Sequence, residues 1–86
     1  MRVRNMDNGR GREIPNQFII DGDDFTAFQS YKSIIVKRQN GKTYLDDRYW
    51  NYSVTTGKYR NLFLGEDRKE TEKKIKSGEY ILTNLN

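Results

Sequence analysis

Short apolar runs separated by turn residues fill the first half of the chain. Gln17-Phe18-Ile19-Ile20 reads as a strand and Phe25 to Gln29 as its return. Between them, Asp21-Gly22-Asp23-Asp24 supplies residues that tolerate the positive φ of a tight hairpin. Ser30 to Ser33 bends the chain. The strongest local signal follows, Ile34-Ile35-Val36-Lys37-Arg38-Gln39, then Asn40-Gly41, then Lys42-Thr43-Tyr44-Leu45-Asp46. Asn-Gly between two such runs predicts a two-residue type I′ turn. That turn fixes the register: Gln39 opposes Lys42, Arg38 opposes Thr43, Lys37 opposes Tyr44 and Val36 opposes Leu45. One face then turns Ile34, Val36 and Leu45 to the core. The other presents Lys37, Gln39, Lys42 and Tyr44, with Ile35 near its base.

Beyond Asp46 the pattern changes to helical spacing. Asp46 to Gly65 holds the only Trp, three of the six Tyr and one of the four Phe. Thr55 or Thr56 can cap a helix that Gly65 ends. Tyr59 and Phe63 fall four apart on one face with Leu62 beside them, an aromatic plug for one face of a small sheet. A second helix spans Asp67 to Gly78, with Asp67 and Glu70 spaced as a capping box and Lys73, Lys74 and Lys76 near its negative end. Ile75 is its one large apolar residue, so most of that helix is solvated. Tyr80 to Leu85 reads as a closing strand. Residues 1–13 form a basic, Gly-containing flexible arm, in which Arg2-Val3-Arg4 could add an edge strand, and Pro15 marks the start of the ordered domain, residues 14–86. The fold class expected is α+β: a small antiparallel β-meander over residues 16–46, two helices packed on one face and a C-terminal strand.

Composition narrows the chemistry. At 86 residues this is one domain near the lower size limit for a single core. A mean hydropathy of −1.03 leans toward disorder, but 13% aromatic residues supply enough large apolar groups to fold. Cys and His are both absent, which excludes thiolate sites, disulfides and the commonest general base. The expectation is a non-enzymatic protein with no cofactor and no metal. Asp21, Asp23 and Asp24 miss the spacing of a calcium loop. Apolar runs such as Ile34-Ile35-Val36 reach only three residues, too short to span a membrane, so a cytoplasmic protein is expected.

The charge is +4 and uneven. Arg2, Arg4, Arg10 and Arg12 sit in the arm; Lys32, Lys37, Arg38 and Lys42 cluster around the hairpin; three Asp mark the turn between them. Such polarity suits an anionic partner. The arm is either a solvated terminus, its commoner fate, or a segment that orders on nucleic acid. The Lys37, Gln39, Lys42, Tyr44 face is the best binding candidate, because cations beside an exposed ring can hold phosphates while the ring stacks on a base. Its plain alternative is an ordinary solvated face. Lys58 and Arg60 lie near the positive end of the aromatic helix, where a cation is locally unfavourable and so hints at a partner.

From Ile14 onward the chain resembles a family of small uncharacterised proteins from phages and mobile elements of Gram-positive bacteria. The resemblance lies in Pro15-Asn16-Gln17-Phe18, Phe28-Gln29-Ser30-Tyr31-Lys32-Ser33-Ile34-Ile35, Tyr49-Trp50-Asn51-Tyr52-Ser53, Thr55-Thr56-Gly57-Lys58-Tyr59-Arg60, Phe63-Leu64-Gly65, Ile75-Lys76-Ser77-Gly78-Glu79-Tyr80 and Leu82-Thr83-Asn84-Leu85-Asn86. It implies a small accessory protein in a bacterial host's cytoplasm and carries over no catalytic residue. The function expected from it is binding and modulation of a host or defence protein, alone or in a nucleoprotein complex. Nucleic acid, through the arm and the Lys/Tyr hairpin face, is the alternative target.

Overall fold

Asn40 and Gly41 take φ of 54° and 75°, the double left-handed step that a type I′ turn demands, and the strands on either side pair in the register expected. The computed structural model, which describes residues 1–86, extends this hairpin into a six-stranded sheet. Its strands are β1 (Arg2–Asp7), β2 (Glu13–Asp21), β3 (Phe25–Ser30), β4 (Ser33–Gln39), β5 (Lys42–Asp46) and β6 (Tyr80–Thr83), in spatial order of sequence. The first five form an antiparallel meander. Helices α1 (Val54–Leu64) and α2 (Arg68–Ser77) then cross over to β6, which pairs in parallel with β5. Parallel neighbours need such a crossover, since no tight turn can join them. The fold is therefore α+β, as the pattern implied.

The core lies between the helices and one face of the sheet. Ile19, Phe28, Val36 and Leu45 are successive cross-strand partners on that face, and all four are buried. Phe63 of α1 stacks on Phe28 at 5.8 Å between ring centroids, and Leu64, Tyr59 and Ile75 close over the same cluster. Ser53, not Thr55 or Thr56, caps α1 by accepting from the Thr56 N–H. Thr56 is instead buried, its hydroxyl 2.9 Å from that of Ser30 on β3. Gly65 and Gly78 end the two helices in left-handed conformation, and Asp67 caps α2 through the Glu70 N–H. Leu62, expected beside the plug, points outward at 59% exposure, and Leu64 fills the core position.

Two further expectations are corrected. Residues 1–13 are not a flexible arm: Arg2–Asp7 pair with β2, and Met6 is buried in the core. Gly9 and Gly11, which argued against regular structure, are both left-handed and build the loop between β1 and β2. Pro15 accordingly falls inside β2, within the irregular stretch between Glu13 and Phe18 where β2 carries extra residues against β1 and a missing N–H is tolerated. The second correction concerns β4. A bulge shifts the register between Phe28↔Val36 and Gln29↔Ile34, which leaves Ile35 as the extra residue. Ile35 is fully buried while Ile34 is only partly so, the reverse of the simple alternation.

Candidate functional site

With both helices on one side, the opposite face of the sheet has no covering layer. Register and alternation place one unbroken row of side chains across all six strands on this open face. It runs Val3, Ile20, Ala27, Lys37, Tyr44 and Ile81, each the cross-strand partner of the next. Phe18, Gln29 and Ile34 form a second row toward one end, and Phe25, Gln39 and Lys42 a third toward the other. Six of the twelve are large apolar side chains left wholly or partly exposed, Val3 at 60% and Ile81 at 37% among them. The Lys37 ammonium lies 4.9 Å from the centre of the Phe25 ring, an attraction that holds the cation flat along the face. An apolar field with two lysines is chemically able to hold a partner by burial and to orient it by charge.

The residues singled out in the sequence separate into groups. Lys37 and Tyr44 are direct partners, as are Gln39 and Lys42, and all four share the open face. Gln39 already donates to Asp24 at 3.0 Å, which ties the two hairpin tips together. Asp21 is likewise engaged, by Thr26 and by Arg4 at 3.8 Å. Arg2 and Arg4 stand on the edge strand, in register with Asp21 and Ile19 and so on the helix side of the sheet. Arg10 and Arg12 sit in the β1–β2 loop, at the opposite end of the strands from Lys42. Arg12 and Lys58 line one cleft between that loop and α1. The basic residues are thus spread over both faces and both ends, and no single track joins them.

Arg60 departs furthest from expectation. It is 1% exposed and cannot meet a partner as an ordinary surface cation. Its Nη1 donates to the Trp50 carbonyl at 2.6 Å and to Asn51 Oδ1 at 3.2 Å, its Nη2 donates to Asn61 Oδ1 at 2.9 Å, and its Nε has no acceptor. The guanidinium also lies 5.3 Å from the centre of the Trp50 ring. Burial, with Arg68 nearby, pushes its pKa below the ordinary arginine value, and no carboxylate touches it.

Two carboxylates, Asp46 and Glu66, organise the helix end. Asp46, 1% exposed, accepts from the N–H groups of Arg48, Tyr49 and Leu85. Burial works against its charge, but these bonds hold its pKa below the usual aspartate value. Glu66 accepts from Lys74 and the Tyr80 hydroxyl at 2.8 Å and from Thr71 at 2.6 Å, so its pKa is also lowered despite burial. This network pins the polar helix α2 where Ile75 alone could not. Its members all lie within residues 66–80: Thr71 and Lys74 stand on α2, and the reversal at Gly78 returns Tyr80 to them. Nowhere do three or more acidic side chains gather as a metal site would need. No helix is long and apolar enough to cross a membrane.

Residues 1–79 match the model of a family of unknown function (DUF8033), a span that includes the N-terminal strand. No curated protein and no solved structure matches the chain.

Proposed function

The chain belongs to this family of unknown function, and we propose that it is a non-enzymatic binding protein whose open sheet face docks on another protein. The observation that supports this reading is the row Val3, Ile20, Ala27, Lys37, Tyr44, Ile81 on the sheet face opposite the helices, apolar except at one position and wholly or partly exposed except at the buried Ala27. Exposed apolar surface favours association, and aromatic residues such as Tyr44 are enriched at interface cores. Dispersal of the arginines over different faces favours a protein over a nucleic-acid backbone, which would call for a continuous basic track. The resemblance to proteins of phages and mobile elements makes a host or defence protein in the bacterial cytoplasm the natural partner.

The test is affinity capture from nuclease-treated bacterial lysate with the parent and with a Tyr44→Ala/Ile81→Ala double variant. The reading requires nuclease-resistant protein partners that the double variant loses at least tenfold. Partners retained equally by both would overturn it. One feature keeps a second reading: Lys37 and Lys42 flank Tyr44, so the face could hold phosphates while the ring stacks on a base. Binding of short single-stranded DNA or RNA at about 50 mM salt, falling steeply as salt rises, would favour that alternative.

A further inference from the structure

Asn-Gly occurs twice in the chain, at Asn8-Gly9 and at Asn40-Gly41, and all four residues are exposed. The pair carries its own chemistry. The backbone nitrogen of the glycine can attack the asparagine side-chain Cγ, closing a five-membered succinimide and expelling ammonia. Water then opens the ring at one carbonyl or the other, giving aspartate or isoaspartate. Glycine favours the attack because no side chain shields its nitrogen. Beyond water the reaction needs only that the two groups be able to meet.

The fold treats the two pairs differently. In the β1–β2 loop both reacting groups are engaged. The Gly9 N–H donates to Asp7 Oδ1 at 2.9 Å, and Asn8 Oδ1 accepts from the Arg10 N–H at 2.8 Å and, more weakly, from that of Arg12 at 3.4 Å. The Asn8 N–H is bonded as well, to the Arg12 carbonyl at 3.0 Å. Turning the Asn8 side chain onto Gly9 has to break this set. At the β4–β5 tip, Asn40 and Gly41 lie outside the Gln39–Lys42 pair that closes the turn, and no hydrogen bond holds the Asn40 side chain or the Gly41 N–H. Attack still requires Asn40 to rotate out of its turn conformation. Only the last rung of the hairpin resists that rotation, and a terminal rung opens at small cost.

We propose that Asn40-Gly41 is a self-modification site at the tip of the open face, deamidating in the folded protein while Asn8-Gly9 persists. The two products differ in effect. Aspartate keeps the main-chain length, tolerates the left-handed conformation and adds only a carboxylate between Gln39 and Lys42. Isoaspartate carries the chain through the side chain and so inserts a methylene into a turn built for two residues. That removes the constraint setting Gln39 opposite Lys42 and Lys37 opposite Tyr44. The charge and register of this end of the face therefore change as the molecule ages, whatever the face binds.

The experiment incubates the intact protein in warm, mildly alkaline buffer, folded and in guanidinium chloride, and follows both sites by peptide mapping with mass spectrometry. The guanidinium sample supplies the intrinsic ratio of the two rates, since the bonds that distinguish the sites are gone there. Relative to that ratio, Asn40 should convert at least fivefold faster than Asn8 in the folded protein. In the purified isoaspartyl product the Gln39 and Lys42 amides should exchange hydrogen at least fivefold faster than in Asn40→Asp. A folded-state preference below fivefold, or conversion of Asn40 confined to the unfolded sample, would overturn the site. Equal amide exchange in the isoaspartyl product and Asn40→Asp would overturn its effect on the register.

Discussion

Asp46 is a structural junction, because its two oxygens join the end of β5, the following turn and the C-terminal tail. Asp46→Ala should cost about 2–4 kcal/mol, since it removes hydrogen bonds to a charged acceptor and strands buried donors. Its pKa is depressed in the folded state, so as pH falls the unfolded chain takes up this proton first. The stabilisation is therefore full above the unfolded value, about 4, and is lost as pH drops through the lower folded value. Denaturant midpoints at pH 7 and pH 3 should fall less far apart for Asp46→Asn than for the parent. Glu66, depressed in the same sense, leaves a residual slope. The bond from Asp46 to Leu85, 39 residues away, was not legible in the sequence, because spacing along the chain carries no information about where a tail returns.

At the scale of elements, local chemistry was readable and long-range packing was not. Asn40-Gly41 fixed a hairpin and its register because both residues must take positive φ. Gly41→Val should lower the midpoint clearly, since a β-branched residue resists that conformation, whereas Asn40→Asp should be nearly silent. The bulge at Ile35 illustrates the other case. One inserted residue reverses the facing of everything before it, and no composition marks it. Ile35→Ala should cost about 2–5 kcal/mol by leaving a core cavity, and Ile34→Ala about 1 kcal/mol or less. Equal costs for the two would refute the assigned facing. For α1, the ring pair Phe28–Phe63 anchors the helix, and Phe63→Ala should cost about 3 kcal/mol, slightly tempered by its partial exposure. Of the strand at Arg2–Asp7 only Arg2-Val3-Arg4 was legible, as a segment that could add an edge strand, because two glycines in the loop obscured its continuation to Met6.

For the whole molecule the governing fact is asymmetry: one sheet, two helices on one face, nothing on the other. The Lys37, Gln39, Lys42, Tyr44 face was legible because a known turn plus strict alternation places four side chains together. Its apolar extension through Val3, Ile20 and Ile81 was not, since it needs β1 and β6 on opposite edges of the same sheet. The free edges carry their own protection, with Arg2 and Arg4 on β1 and a short β6 of four residues, so edge pairing is disfavoured relative to the face. The most direct test of the open-face account is photo-crosslinking in bacterial lysate, with a benzophenone amino acid replacing Tyr44 in one protein and Lys69, exposed on α2, in another. The account predicts a discrete, nuclease-resistant protein adduct from position 44 and none of that mass from position 69. The same adduct from position 69 with none from position 44 would contradict it.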